Sequence, residues 1–252
     1  MSLHKREGGQ PEGLAPFSDR SDACRVDSGV SRPEPASGQV KSPRPVRVYI
    51  DGFNLYHAIA ALKDQTLKWL NFWTLSETFL RTGEVLDEVS LFTAVLTWNL
   101  AKQQRHVNFL AACRAVGVQV HEANFKRTYK SCRAFERECK FYEEKQTDVA
   151  IAVKMVADAI RGKFVRAILI SADSDQVPTA RFIRGFQDLQ LTVVFPPGRK
   201  AVARELGSLA TDWIELAPGR LQTCRLPRNV VDANGKTVAR MPAIYNGEPI
   251  SN

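Results

Sequence analysis

Two apolar runs in the chain each end in acid: Val46-Arg47-Val48-Tyr49-Ile50 stops at Asp51, and Ala167-Ile168-Leu169-Ile170-Ser171 stops at Ala172-Asp173-Ser174-Asp175. Short runs rich in β-branched residues and bounded by polar residues or glycine predict buried strands. In open α/β sheets ligands collect in the crevice beyond the carboxyl ends of the strands, so both acidic ends point at one crevice. Carboxylates brought together repel and raise one another's pKa unless a cation neutralises them. Oxygen donors of this kind suit magnesium or manganese, which makes a hard divalent metal the simplest occupant.

The elements that must hold these acids become legible from Val46 onward, where strand-like and helix-like segments alternate and predict an α/β fold with a mostly parallel sheet. Strands are expected at 46–50, 88–96, 117–123, 165–171 and 191–195, with a weaker one at 213–216. Helices are expected over 54–64, 73–81, 100–116, 147–161, 175–188 and 200–209. In the fourth helix Val149, Ala152, Val153, Val156 and Ile160 recur at helical spacing and form an apolar face, with Asp148 in the first turn near the crevice.

Three stretches lie outside this alternation. Residues 1–45 hold six of the thirteen prolines and seven serines with no hydrophobic period, which predicts a disordered tail. An insertion, Phe125 to Gln146, interleaves Lys126, Arg127, Lys130, Arg133, Arg137, Lys140 and Lys145 with Tyr129, Phe135, Phe141 and Tyr142. Cations that meet phosphates and rings that stack on unpaired bases suit single-stranded nucleic acid, although a solvated amphipathic hairpin would show the same pattern. Residues 217–252 have little period and read as an irregular arm.

At 252 residues, 44% hydrophobic and 25% charged, the chain supports one good-sized core over 46–216. Its net charge of +8 favours a polyanionic partner. No apolar stretch approaches a membrane span and the N-terminus has no signal-peptide core, so a cytoplasmic protein without membrane contact is expected. Five scattered cysteines predict reduced thiols. Cys132 and Cys139, with Cys113 and His121 upstream, make only a weak zinc pattern because zinc sites usually contain a close cysteine pair.

Three separated motifs, Asp51-Gly52-Phe53-Asn54-Leu55-Tyr56, Lys145-Gln146-Thr147-Asp148-Val149 and Ser171-Ala172-Asp173-Ser174-Asp175-Gln176-Val177-Pro178, stand in the order seen in the NYN domain. From about Val46 to Glu215 the chain resembles that family in its LabA-like branch, among the PIN-like nucleases. The resemblance implies a PIN-like, Rossmann-like three-layer sandwich and metal-dependent cleavage of RNA. It puts the acidic site on Asp51, Asp148, Asp173 and Asp175, with Asn54 beside them. Members commonly carry an acid where this chain has Lys154 and an aromatic where it has Gln176.

On this reading the four aspartates hold magnesium or manganese, Asp51 and Asp173 most directly because strand ends are rigid. Asn54 orients a carboxylate or phosphate, Ser171 donates to a phosphate oxygen, and Lys145 pairs with the scissile phosphate. Lys126, Arg127 and Lys130 bind the RNA backbone. Plainer roles exist for each: Asp148, Asp175 and Asn54 also suit helix caps, Lys154 a solvated helix face, and Tyr49, Phe53 and Tyr56 core or rim packing. Rival functions are an inactive RNA-binding module and, less favoured, an aspartate-nucleophile phosphatase acting through Asp173. The sequence leaves homo-oligomerisation open.

Overall fold

The computed structural model describes residues 43–132 and 137–247, with backbone alone for 124–132 and 137–145. The disordered tail expected over residues 1–45 lies outside the described residues up to position 42. The rest of it belongs to the first strand, β1, which spans Arg44–Asp51.

Six strands form a parallel sheet: β1, β2 (Glu84–Ala94), β3 (Gln119–Cys132), β5 (Arg166–Ile170), β6 (Gln190–Phe195) and β7 (Asp212–Glu215). β4 (Arg137–Lys145) adds an antiparallel edge, and the spatial order is β4-β3-β2-β1-β5-β6-β7. From β1 the chain builds outward through β2 and β3, then returns to β1's other side at β5 and builds away through β6 and β7. The order therefore reverses between β1 and β5, the position where open α/β sheets bind ligands.

Alternation along the central strands feeds two cores. Val46, Val48 and Ile50 of β1, with Ile168 and Ile170 of β5, pack toward α1 (Gly52–Ala61), α2 (Phe72–Glu77) and α3 (Leu100–Ala115). Tyr49, Ala167 and Leu169 pack on the opposite face with α4 (Thr147–Ile160), α5 (Val177–Arg184) and α6 (Arg204–Leu209). Strands buried on both faces read as continuous apolar runs, which is why β1 and β5 are visible in the sequence. The three-layer sandwich is the observed architecture, and no helix among the described residues is long and apolar enough to cross a membrane.

The structure corrects several expectations. α4 turns Ile151, Met155, Asp158 and Ala159 inward and leaves Val149, Val153 and Ile160 more than 60% exposed. A hydrophobic count missed its inner face because that face carries a charge. The Asp158 carboxylate accepts from the Tyr49 hydroxyl at 2.8 Å and pairs with Arg47 at 3.0 Å and Lys154 at 2.6 Å. Lys154 is accordingly not a solvated residue; it also meets Glu88 at 2.8 Å. Tyr49 is fully buried, in agreement with core packing.

The third strand runs beyond its expected end at 123, and the insertion is backbone-paired ribbon: β3 and β4 pair from Asn124↔Lys145 to Cys132↔Arg137. The arm after Ala217 is not irregular. It forms α7 (Pro218–Thr223) and a hairpin of β8 (Asn229–Val231) with β9 (Thr237–Arg240). Leu226, Val230 and Ala239 from this arm pack with Trp69 and Ala112. Strands of three and four residues offer too few positions for a period of two to show.

Burial pushes the Asp158 carboxyl up, but Lys154, Tyr49 and Arg47 outweigh it and hold the group below its ordinary range. Asp158→Asn is expected to cost about 2–3 kcal/mol at neutral pH. That lies below the usual cost of about 3–5 kcal/mol for a broken buried pair, since Arg47 keeps Asp87 and Lys154 keeps Glu88. Stability from a depressed carboxylate is lost as pH falls through its folded pKa, so wild type and variant should converge in acid. Urea melts at pH 7 and in acid check both statements.

Candidate metal centre

Asp51 is the last residue of β1 and also the N-cap of α1, where its carboxylate accepts the Asn54 N–H at 3.0 Å. The neighbouring Gly52 is required for this tight join, because a Cβ there would stand 2.7 Å from the Phe92 carbonyl oxygen. Across the switch point, Ser171 donates to the second oxygen of Asp51 at 2.9 Å and accepts the Asp173 N–H at 3.0 Å. Asp173 caps the 3-10 turn Ser174–Gln176 by accepting the Asp175 N–H at 2.9 Å. Asn54 accepts the Ala172 N–H at 3.1 Å and latches the loop after β5 onto α1.

Asp148 comes from the opposite layer, on the second residue of α4. The residue before that helix, Gln146, adopts φ 84°, a left-handed conformation uncommon for a residue with a side chain. Gln176, fully buried, donates to the Asp148 carbonyl at 3.0 Å and so fixes the start of α4 to the turn after β5. Asp51, Asp148 and Asp173 each offer a carboxylate oxygen, and the three lie within 4.8 Å of one another. Among the described residues no other set of three histidine, cysteine or acidic ligand atoms comes so close.

Charge crowding shows in the titration of these groups. Burial, followed by Asp173, Asp51 and Asp175, pushes Asp148 up to about 6. Burial is also the largest influence on Asp51 and raises it, against the hydrogen bonds from Asn54 and Ser171. The buried hydroxyl of Thr147, adjacent to Asp148, has no hydrogen-bond partner, which is costly unless a water or ligand meets it. Three converging carboxylates fit a hydrated hard cation.

The remaining residues singled out from the sequence are placed differently. Asp175 is exposed and stands at the rim, outside the set of three. Ser171 is completely buried and its proton is committed to Asp51, so it is a bracket between two acids and not a donor to phosphate. Asn54 likewise orients backbone, and the caps are Asp51 and Asp173 in place of Asp148, Asp175 or Asn54. The side chains of Lys126, Arg127, Lys130 and Lys145 lie outside the described residues; their backbones run in β3 and β4. Of the zinc pattern, Cys113 is a buried free thiol on α3, and His121 stacks on Phe92 at 4.5 Å and approaches the Ser90 hydroxyl. Cys132 and Cys139 have no described side chains. Gln176, noted in the sequence only as a departure from the resembled family's pattern, is a positioning residue whose role sequence reasoning did not assign.

The NYN domain profile matches residues 45–217, from the start of β1 to the end of the parallel sheet. The chain belongs to the NYN domain family. NYN domains fall within the PIN-like nuclease superfamily, and the parallel sheet with its acidic switch point agrees with that fold. A curated relative, 6-hydroxy-3-succinoylpyridine 3-monooxygenase HspA of Pseudomonas putida, is 26% identical over 82% of this chain and 77% of its own length. Among solved structures, a protein of unknown function from Vibrio parahaemolyticus aligns at TM-score 0.47 and 18% identity, covering 71% of this chain and 97% of its own. MurG of Acinetobacter baumannii aligns at TM-score 0.35 and 8% identity, covering 73% and 43%.

The metal-free protein should reveal the crowding directly. A carboxyl whose folded pKa is raised binds its proton more tightly folded than unfolded, so stability falls as pH rises from 3.8 to about 6. Asp148→Asn is expected to stabilise the protein in EDTA on the order of 1 kcal/mol at pH 7.5, after allowing for solvent screening, and to change nothing near pH 3.5. Magnesium should reverse the sign by favouring the wild type. Thermal melts at the two pH values, with and without the metal, check this.

Proposed function

We propose that this NYN domain, of the LabA-like branch, is a magnesium- or manganese-dependent ribonuclease. The observation that carries the reading is the convergence of Asp51, Asp148 and Asp173 from three separate elements at the sheet's switch point. Asp51 and Asp173, held by caps and bracketed by Ser171, are pre-set as ligands; Asp148 completes the set from α4, and Asp175 at the rim takes a water-mediated place. A divalent cation held there would supply an acidified water and a clamp on phosphate oxygens. The chain's own part is to keep the carboxylates aligned and to present the RNA backbone, a task that suits the basic ribbon of β3 and β4.

The Pseudomonas relative carries a monooxygenase name. An all-carboxylate donor set suits a hard, redox-inert cation better than a ferrous centre, which prefers two histidines with a carboxylate, so the nuclease reading is the one the donors favour. An inactive RNA-binding module would need no such set.

Asp173→Asn is expected to lower metal-dependent cleavage of single-stranded RNA by at least about 100-fold while leaving RNA affinity within a few-fold. Cleavage retained in this variant would remove the catalytic assignment, and tight RNA binding by a wild type that never cleaves would support the binding module. Neutralising Lys126, Arg127 and Lys130 together should lower the slope of log affinity against log salt by about two to three, one per lost phosphate contact. An unchanged slope would take the ribbon out of the RNA interface.

A further inference from the structure

A cavity of about 340 Å³ opens on the face of the sheet opposite α4, between α1, α3 and the turn Ala243–Tyr245 of the C-terminal arm. Its walls are of core quality, with Leu55, Ile59, Phe72, Leu91 and Phe109 among them. Close packing leaves few concavities of this size lined by core side chains, so the opening is a distinct feature of the fold. Its volume falls in the range of small-molecule sites, which are mainly apolar with a few placed polar groups.

The polar groups have one sign. Lys68, Lys102 and Arg105 stand on the lining, and no aspartate or glutamate does. Lys68 is poised over the Tyr56 ring with its ammonium 5.1 Å from the centroid. Burial and the neighbouring Tyr56 raise the Tyr245 phenol, while Arg105 beside it acts in the opposite direction, so these three side chains meet at one rim. Deeper in, the Thr93 hydroxyl and His106 Nε2 lie 3.4 Å apart and offer a polar end to whatever enters. Gly52 also lines the cavity, and it is bonded to Asp51, so the cavity and the acidic centre share a backbone boundary of about 3.8 Å.

We propose that this cavity binds a planar heteroaromatic ring carrying an anionic group on a short arm, with the ring between the apolar walls and the anion at Lys68, Lys102 and Arg105. Aromatic walls favour a flat ring, and cations at the rim favour a carboxylate or phosphate. A nucleoside monophosphate and a pyridyl carboxylic acid both satisfy this chemistry. The site does not depend on cleavage of RNA, since none of the acidic residues line it.

Calorimetric titration of the full chain with UMP, AMP and nicotinate, against uridine, adenosine and nicotinamide as neutral counterparts, tests the proposal. At least one anion should bind at least about tenfold more tightly than its neutral counterpart. Binding by the nucleotides alone identifies a nucleic-acid subsite, and binding by the carboxylate alone identifies a small-metabolite site. Lys102→Glu with Arg105→Glu should weaken the binding at least about tenfold, and Leu96→Trp at the lining should block it while the circular dichroism spectrum is retained. Asp173→Asn should leave it unchanged. No binding by about 1 mM, equal binding of charged and neutral rings, indifference to the charge reversal, or loss in Asp173→Asn would each overturn the proposal.

Discussion

Like-charge repulsion at the switch point is the constraint around which this fold is arranged. Three carboxylates within 4.8 Å, two of them withdrawn from water, cannot all ionise cheaply without a cation. The fold does not relieve the repulsion by spreading the acids apart. It opposes it with fixed dipoles, the Asn54 N–H and Ser171 hydroxyl on Asp51 and the Asp175 N–H on Asp173. These donors hold the carboxylates in orientation yet leave Asp148 with no such relief, and its carboxyl is pushed up to about 6 by burial and its acidic neighbours. Strain kept at one place and offset elsewhere is the usual mark of a functional site.

What the sequence made legible follows from the same physics. β1 and β5 are buried on both faces, so their apolar runs are unbroken, and the acids stand where those runs must stop. The location of Asp51 and Asp173 at adjacent strand ends was therefore readable from composition alone. Asp148 was placed by helix position together with motif order. Asp175 has the same residue type and nearly the same sequence position as Asp173, but two residues of a 3-10 turn are enough to move it out to the rim. One-dimensional spacing does not resolve a displacement that small.

The illegible part concerns polar groups whose roles are decided by partners distant in sequence. Ser171 looked like a free donor until its hydroxyl was found between Asp51 and Asp173, 120 positions from its acceptor. Lys154 looked like a solvated helix residue because charge normally faces water, and Asp158 was given no role. Their burial depends on Arg47 and Glu88, which belong to strands about 100 and 70 residues earlier, and no local pattern encodes that meeting. The same effect hid the inner face of α4: Val149, Val153 and Ile160 are exposed, while Ile151, Met155 and Ala159 face the core beside Asp158, whose charge is paired.

The facing of α4 bears on the acidic centre. α4 brings Asp148 to the switch point, and its rotation about its own axis is set by the burial of Ile151, Met155 and Ala159 together with the pairing of Asp158 and Lys154 with Arg47, Tyr49 and Glu88. Had the valine stripe faced the sheet, the helix would be turned and Asp148 carried away from Asp51 and Asp173, since a turn about the axis moves every side chain on it together. The resemblance to the family leads one to expect an acid where this chain has Lys154, six residues beyond Asp148 on the same helix. Lys154 pairs there with Glu88 and Asp158 and anchors α4. A set of three carboxylates, whose helix is held by ion pairs together with the apolar contacts of Ile151, Met155 and Ala159, is the form this chain gives to the site.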